Sequence, residues 1–334
     1  MRSMKFSVEF IERKVYETSS IENVFRQVAK GLSKLDIGSR FEKVPFGHSF
    51  IEILKNLVQY KKGKADIYHI TGHIHYMALV LPVNRTVLTI HDLVILRMRK
   101  GFRRFVLKKL LFDLPVKRLK YITVISENTK RELIECTNCP EDKIRVIENP
   151  VRDDFIAAKT REFDRECPVI LQVGTSPVKN LPGLTAALNG VKCRLRVIGP
   201  LDEAHIASLK ENGIDYENRV GLTDAELRDQ YLNADMVVFC STYEGFGLPI
   251  IEAQATGTPL ITSNLSPMKE VAGDGALLVD PYDPESIRSA IRRLIDEPEV
   301  RKSIVEKGRA NVQRFSSDRI VSRYAELYFE IVAP

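Results

Sequence analysis

Short apolar, β-branched runs alternate with longer amphipathic stretches along this chain, and that alternation is the strongest constraint on its fold. Strands buried on both faces of a parallel sheet read as continuous apolar runs, and a crossover, usually a helix, must separate one from the next. In the first half, Lys5–Glu9, Ala65–Ile70, Thr86–Ile90 and Tyr121–Ile125 predict strands. Ile21–Leu35 predicts a helix, with Ile21, Val24, Phe25, Val28 and Leu32 on one face. A second series begins with a strand at Val169–Val173, then a helix at Leu181–Ala187 and a strand at Arg194–Ile198. Thr223–Asn233 predicts a helix with an N-cap Thr. Met236–Cys240 and Leu260–Ser263 predict strands on either side of a helix at Leu248–Thr256. The tail from Pro284 to about Ile331 is helix-rich.

The pattern predicts two doubly wound α/β domains, residues 1–160 and 161–315, facing across a cleft. Asn149-Pro150 and the charged, poorly periodic stretch to Arg165 mark the passage between them. A last helix, 316–334, is expected to cross back onto the first domain through Tyr324, Leu327, Tyr328 and Ile331.

Composition narrows the class. At 44% hydrophobic and 28% charged the 334 residues have the balance of a soluble globular protein, not of a disordered, collagen-like or coiled-coil chain. The apolar runs are too short to cross a bilayer, and Glu9 and Glu12 interrupt any leader-like core. Five scattered cysteines fit a reducing compartment, so the expected location is the cytoplasm. Charge is uneven. Residues 1–150 carry 28 Lys+Arg against 16 Asp+Glu, net +12, and the remainder carry 22 against 28, net −6. The basic half should meet something anionic.

The segment Ser241-Thr-Tyr-Glu244-Gly245-Phe246-Gly247-Leu248-Pro249-Ile-Ile-Glu252 follows a predicted strand and opens a predicted helix. Glycines allow a close backbone approach, and Pro249 suits a first helical turn. Backbone N–H groups at such a helix entrance, helped by the dipole, form an anion site that fits a diphosphate. Glu252, one turn after Leu248, can accept hydrogen bonds from a ribose diol, and Glu244 lies where a reacting sugar would sit. A Gly-rich turn with two solvated glutamates is the plainer alternative.

This string resembles the signature of the retaining family 4 glycosyltransferases, which have the GT-B fold. Thr89-Ile-His91-Asp92-Leu93, Val124-Ile-Ser126 with Thr129–Leu133, Asp142–Val151, Leu171–Leu181 and Ser266–Pro281 resemble further segments of that family. The resemblance covers roughly residues 66–334. It implies a hexosyltransferase that moves a sugar, with retention, from a nucleoside diphosphate sugar to a hydroxyl of a glycan or lipid-linked glycan in cell-surface polysaccharide or lipopolysaccharide synthesis. It implies His91 and Glu244 at the reacting sugar. It assigns the donor to Gly174, Lys179, Gly245, Phe246, Gly247, Leu248 and Glu252, with Lys179 neutralising the leaving diphosphate. Fixed positive charge and N–H donors can stabilise that leaving group without a metal. No Asp-x-Asp string occurs, so neither metal nor other cofactor is expected.

Two departures stand out. An Arg frequent after the donor-loop glycine is replaced by Thr175-Ser-Pro-Val178, and a Gly-Gly loop near the acceptor by Tyr16-Glu-Thr-Ser19-Ser20-Ile21. Ser19, Ser20, His73 and Ser126 are the acceptor-side candidates. Another GT-B activity, such as a sugar-nucleotide epimerase or a phosphorylase, or a degenerate nucleotide-sugar-binding subunit, is the alternative reading. His73-Ile-His75 and Cys136-Thr-Asn-Cys139 lack the further ligands a zinc site needs. Arg97–Lys120 holds ten Lys/Arg against Asp113 alone, interleaved with Phe102, Phe105, Val106, Leu107, Leu110, Leu111 and Phe112. It predicts a basic amphipathic helix able to lie on an anionic membrane, on the inner face, or else a domain helix with a solvated basic face. No nucleic-acid module accompanies it, and nucleic acid is not an expected partner.

Overall fold

The computed structural model describes residues 5–14, 20–47, 49–156 and 162–333; Ser19, one of the acceptor-side candidates, lies outside them. The chain divides into two compact units, Met1–Pro150 with Ser317–Pro334, and Val151–Ser316. Among the described residues each unit is built on one six-stranded, all-parallel sheet.

In unit 1 the strands are β1 (Ser7–Glu12), β2 (Gly38–Lys43), β3 (Ile67–Ile70), β4 (Thr86–Ile90), β5 (Tyr121–Val124) and β6 (Ile144–Val146), in the order β2-β1-β3-β4-β5-β6. The helices are α1 (Ser20–Ser33), α2 (Phe50–Gln59), α3 (Val94–Arg97), α4 (Gly101–Lys108), α5 (Leu114–Arg118) and α6 (Glu127–Thr137), with a π-helical turn at Lys109–Asp113. The C-terminal helix, Ser317–Val332, packs on α1. A Cβ on Gly31 would lie 2.4 Å from Val321 Cγ2, so only glycine lets these two helices approach so closely. Tyr324, Leu327 and Tyr328 are buried. Tyr328 Oη lies 2.6 Å from His69 Nδ1, and His69 Nε2 lies 2.7 Å from Thr89 Oγ1, so both ring nitrogens have hydroxyl partners.

In unit 2 the strands are β7 (Val169–Val173), β8 (Arg194–Ile198), β9 (Asp215–Arg219), β10 (Met236–Phe239), β11 (Leu260–Ser263) and β12 (Leu277–Val279), in the order β12-β11-β10-β7-β8-β9. The helices are α7 (Leu181–Leu188), α8 (Glu203–Glu211), α9 (Asp224–Leu232), α10 (Leu248–Thr256), α11 (Met268–Ala272), α12 (Pro284–Asp296) and α13 (Pro298–Val312). Read from the middle, this is the dinucleotide-fold order, with its switch point between β7 and β10. Asp235, fully buried, fixes that junction. Its carboxylate accepts from Val169 N (2.8 Å) and Asp164 N (3.1 Å), while its own N–H donates to Val169 O (2.7 Å).

The predicted central strands all form, within two or three residues of their expected ends. The four strands that sequence patterning misses, β2, β6, β9 and β12, are the four sheet edges. Edge strands are short or face water, as in Arg40-Phe-Glu-Lys43 and Asp215-Tyr-Glu-Asn-Arg219, so they carry no apolar run.

Arg97–Lys120 departs from the single amphipathic helix expected. Met98–Lys100 breaks it after α3, and the π-helical turn and Pro115 interrupt it again. Leu111 and Phe112 belong to the core, and Val106, Leu107 and Leu110 are half-buried. Phe102 and Phe105 stand out to solvent, as do Met98 and Leu114, and the two rings are stacked with centroids 6.4 Å apart. Several cations are engaged locally: Arg104 with Leu96 O, Arg118 with Ala78 O and Leu81 O, and Arg97 with Glu132. No helix among the described residues is long and apolar enough to cross a membrane.

Unit 1 encloses three neutral imidazoles. Burial pushes His69 and His75 from 6.5 down to about 3, and His91 down to about 4. The unfolded chain takes up protons near pH 6.5 while the native one does not, so this contribution is present above 6.5 and is lost as pH falls toward 4 and 3. Each imidazole adds a slope of about 1.4 kcal/mol per pH unit inside that window. Thermal melts from pH 6.5 down to 4.5 should show the midpoint falling steeply. His69→Gln should remove about a third of the slope, and an unchanged slope would contradict the assignment.

Candidate active site

Ligands of doubly wound sheets bind beyond the carboxyl ends of the strands, at the switch point. In unit 2 that places the loops after β7 and β10 side by side. The β7 loop begins at Gly174, whose φ of +90° and close packing exclude other residues: a Cβ there would lie 3.0 Å from Lys179 Cε. Gln172 Nε2 donates to Gly174 O (3.3 Å) and Lys179 O (3.0 Å), closing the loop on itself. Thr175 donates to Pro200 O (2.6 Å) and is buried. A 3₁₀ turn at Pro177–Lys179 then presents Lys179. Thr242 N donates to Val178 O (2.8 Å) and ties this turn to the β10 loop.

The result is a contact that sequence reading does not provide. Lys179 Nζ donates to Glu244 Oε1 at 2.7 Å, and the ammonium lies over the Phe239 ring, 4.6 Å from its centroid. Both side chains are mostly shielded from solvent, at 19% and 14% exposure. The two groups assigned to diphosphate and sugar are thus each other's counter-ion.

The glycine-rich string does what its composition predicts at α10. Gly247 is the N-cap, with φ +103°, and a Cβ there would lie 2.9 Å from Ile250 Cδ1. Leu248 starts the helix and Pro249 occupies its first turn. Ile250 N is already bonded to Gly247 O (3.0 Å), so the expected row of amides ends before it. Gly245 sits in the half-buried loop between Glu244 and Phe246. The Phe246 ring is buried edge-on against Phe315, 5.6 Å away, and anchors the loop. Beneath the loop the Ser241 hydroxyl is buried without a protein partner.

Glu252 is buried on α10, and Tyr231 Oη, itself fully buried, donates to its Oε2 at 2.6 Å. Burial pushes this carboxyl above its ordinary range, against the pull of the Tyr231 hydroxyl and of the Arg152 and Lys179 charges. Arg152 bonds Asp224 (2.8 Å) and Asp154 (2.9 Å) and lies over the Phe155 ring, which packs edge-on against Tyr231 at 5.5 Å. Arg152 and Tyr231 are the residues sequence reasoning missed. An isolated Arg after Asn149-Pro150 and a Tyr inside a helix carry no motif; only the fold brings them to Glu252.

In unit 1 the corresponding edge holds His91, His73 and His75. His91 Nε2 donates to Thr71 O (2.7 Å), which fixes the tautomer and leaves Nδ1 as the acceptor. His73 Nε2 lies 3.5 Å from Asp92 Oδ2, a long contact. Burial raises the Asp92 carboxyl, but His73 and the Val94 amide outweigh it and hold the group below its ordinary range. His75 Nδ1 bonds Leu111 O (2.8 Å) inside the core. Ser126 caps α6 through Thr129 N (3.1 Å), a structural use of its hydroxyl. Ser20 is the exposed first residue of α1. Among the described residues no three His, Cys, Asp or Glu side chains gather where a metal ion could sit.

The family models agree with this anatomy. The model described as "Glycosyl transferases group 1" matches residues 155–311, and that described as "Glycosyltransferase Family 4" matches 21–155. The chain belongs to the group 1 glycosyltransferases. It is similar to O-antigen chain mannosyltransferase B of Escherichia coli, 29% identical over 63% of this chain and 60% of that protein. It is also similar to O-antigen chain mannosyltransferase RfbU of Salmonella typhimurium, 29% identical over 88% of this chain and 81% of that one. Among solved structures, Anabaena HepE in complex with UDP and glucose superposes with a TM-score of 0.80 at 16% identity, covering 97% of this chain and all 100% of the other. A glycosyltransferase from Rickettsia africae gives 0.76 at 20% identity, covering 98% and 99%. These likenesses establish the GT-B fold.

Tyr231→Phe leaves Glu252 buried without its donor. Unfolding free energy should fall by about 1–3 kcal/mol in denaturant melts. A loss no larger than that of an exposed Tyr→Phe control would show the bond to be dispensable.

Proposed function

We propose that this glycosyltransferase moves a hexosyl group, in the first instance mannosyl, from a nucleoside diphosphate sugar to a hydroxyl of a growing cell-surface glycan, with retention and without a metal. The observation that carries the reading is the Lys179–Glu244 pair, held at the switch point one loop from the buried Glu252. A diphosphate offers Lys179 a stronger anionic partner, and the N-terminus of α10 supplies further positive potential. Glu244, released from the lysine, accepts from the sugar hydroxyls. Glu252, with Oε2 occupied by Tyr231, turns Oε1 to the ribose diol. The mannosyl choice rests on relatives named as mannosyltransferases.

The proposed chemistry is same-face attack. The glycosyl–phosphate bond breaks as the acceptor oxygen approaches, and the acceptor proton passes to an oxygen of the departing diphosphate. No protein nucleophile is required. His91, neutral at physiological pH, accepts a hydroxyl hydrogen bond at Nδ1 and does not serve as an acid. His73 and Ser20 are assigned to the acceptor. The exposed Phe102–Phe105 pair among basic residues supports contact with an anionic membrane that carries a lipid-linked acceptor.

Glu244→Ala should cut turnover about 10²–10³-fold while nucleoside diphosphate affinity largely survives. Glu252→Ala should weaken nucleotide binding, and unaltered affinity would refute the ribose role. Thermal melts with UDP, GDP, ADP, CDP and TDP should single out one base. A ligand at a hundredfold excess over its Kd stabilises by about 2.7 kcal/mol. Stabilisation by none of the five would overturn the donor site.

A further inference from the structure

The most basic segment of the chain is not absorbed by the donor site. The π-helical turn at Lys109–Asp113 brings Lys108 and Lys109 onto the same carboxylate, Asp113, at 2.7 and 2.8 Å. Single π turns are rare and occur frequently at functional sites. Beside this triad lies a groove of about 480 Å³ whose walls also include Lys117, Lys143 and the turn Cys136–Pro140. Four ammonium groups thus line it against one carboxylate. Asp142 stands next to Lys143 in sequence, while Glu141 is engaged by Lys130 (2.7 Å) and Glu132 by Arg97 (2.8 Å). Among the described residues no carboxylate pairs with Lys117 or Lys143. The turn satisfies its own polar groups: Thr137 Oγ1 donates to Leu133 O, Cys139 N to Thr137 Oγ1, and Asn138, in the left-handed region at φ +54°, donates its N–H to Ile134 O. What the groove offers a ligand is therefore ammonium groups. Burial raises both thiols, Cys136 and Cys139, so neither is a reactive thiolate.

The groove is separate from the candidate active site. α5 leads into the start of β5, and α6 ends just before the start of β6, so residues 117 and 137–143 lie at the amino edge of the unit 1 sheet. Substrates of such sheets bind at the opposite, carboxyl edge.

We propose that this groove binds a phosphate group, held by Lys117 and Lys143 together with the Lys108–Asp113–Lys109 triad. A dianionic phosphate offsets two of the three positive charges that one carboxylate leaves open, through short charge-assisted hydrogen bonds. The phosphate comes either from a soluble ester or from a lipid head group. The second source has its own observation: α4, whose last residue Lys108 enters the groove, carries the exposed and stacked Phe102 and Phe105. The inference does not depend on the donor assignments.

The test uses the full chain with Lys117→Gln/Lys143→Gln, and Lys30→Gln/Lys64→Gln as a control that removes the same charge from exposed positions elsewhere on unit 1. Inorganic phosphate is titrated calorimetrically. Flotation is measured on phosphatidylcholine vesicles containing phosphatidic acid, and on vesicles matched in surface charge with phosphatidylserine. Phosphate affinity should fall about tenfold or more in the groove variant and stay near wild type in the control. A matching loss of flotation on phosphatidic acid alone identifies the lipid head group; loss of phosphate binding with flotation unchanged identifies a soluble ester. Nucleoside diphosphate affinity should be the same in all three proteins. Equal losses in groove and control variants, no phosphate or phosphatidic acid binding by the wild type, or a fall in nucleotide affinity in the groove variant would overturn the proposal.

Discussion

The pairing of β7 with β10 is the constraint on which unit 2 depends. These strands are far apart in sequence and adjacent in space, and the chain leaves them in opposite directions. The buried Asp235 carboxylate, bonded to backbone N–H groups at the start of β7, sets their relative height. Once that height is set, the loops that follow the two strands must meet. The contact between Lys179 and Glu244, 65 residues apart, is a consequence of sheet order more than of either loop. Gly174 and Gly247 then do local work, each at a positive φ; a side chain at Gly174 would collide with Lys179, and one at Gly247 with the buried Ile250.

The central strands were legible because their physics is local to the sequence. A strand covered on both faces has to be apolar throughout, and Thr86–Ile90, Val169–Val173 and Leu260–Ser263 form with the bounds their composition predicts. Edge strands are held by backbone pairing with one neighbour, which leaves little trace in side chains, so β2 and β9 pass for loops. The same division runs through the site. Glu244, Lys179 and Glu252 could be picked out from a string of residues in order. Arg152 and Tyr231 could not, because their relation to Glu252 exists only after β10 and α10 have folded back along α9. The Arg97–Lys120 segment shows the opposite error. Its composition is that of one surface helix, yet alternate stretches of it are core, and the register is broken by a π-helical turn and a proline that average composition does not reveal.

Both units bury carboxylates, and each does so beside partners. Unit 1 buries imidazoles in their neutral state, each tied to a hydroxyl or a carbonyl, and it also buries three carboxylates, Glu9, Glu12 and Glu22, paired with Arg40, Arg26 and Arg13. Its excess of lysine and arginine lies elsewhere, on α4, the π-helical turn and the loops beyond. Unit 2 buries the Glu252 carboxyl beside the Tyr231 hydroxyl, with the Arg152 and Lys179 charges offsetting part of the burial cost.

The Lys179–Glu244 ion pair has a consequence for traffic through the site. An unoccupied anion site built from a bare lysine would attract any small anion in its surroundings. Here the protein carries its own competitor, so an incoming ligand must displace a carboxylate already in place. An inorganic anion can satisfy the lysine but leaves Glu244 half-buried with no counter-charge, whereas a donor with sugar hydroxyls satisfies both. If the proposed transfer takes place here, the departing nucleoside diphosphate would lack those hydroxyls, and the returning carboxylate would compete with it for the ammonium. Under the proposed function the pair would act as a gatekeeper on entry and as an ejector on exit, favouring the loaded donor over the spent one.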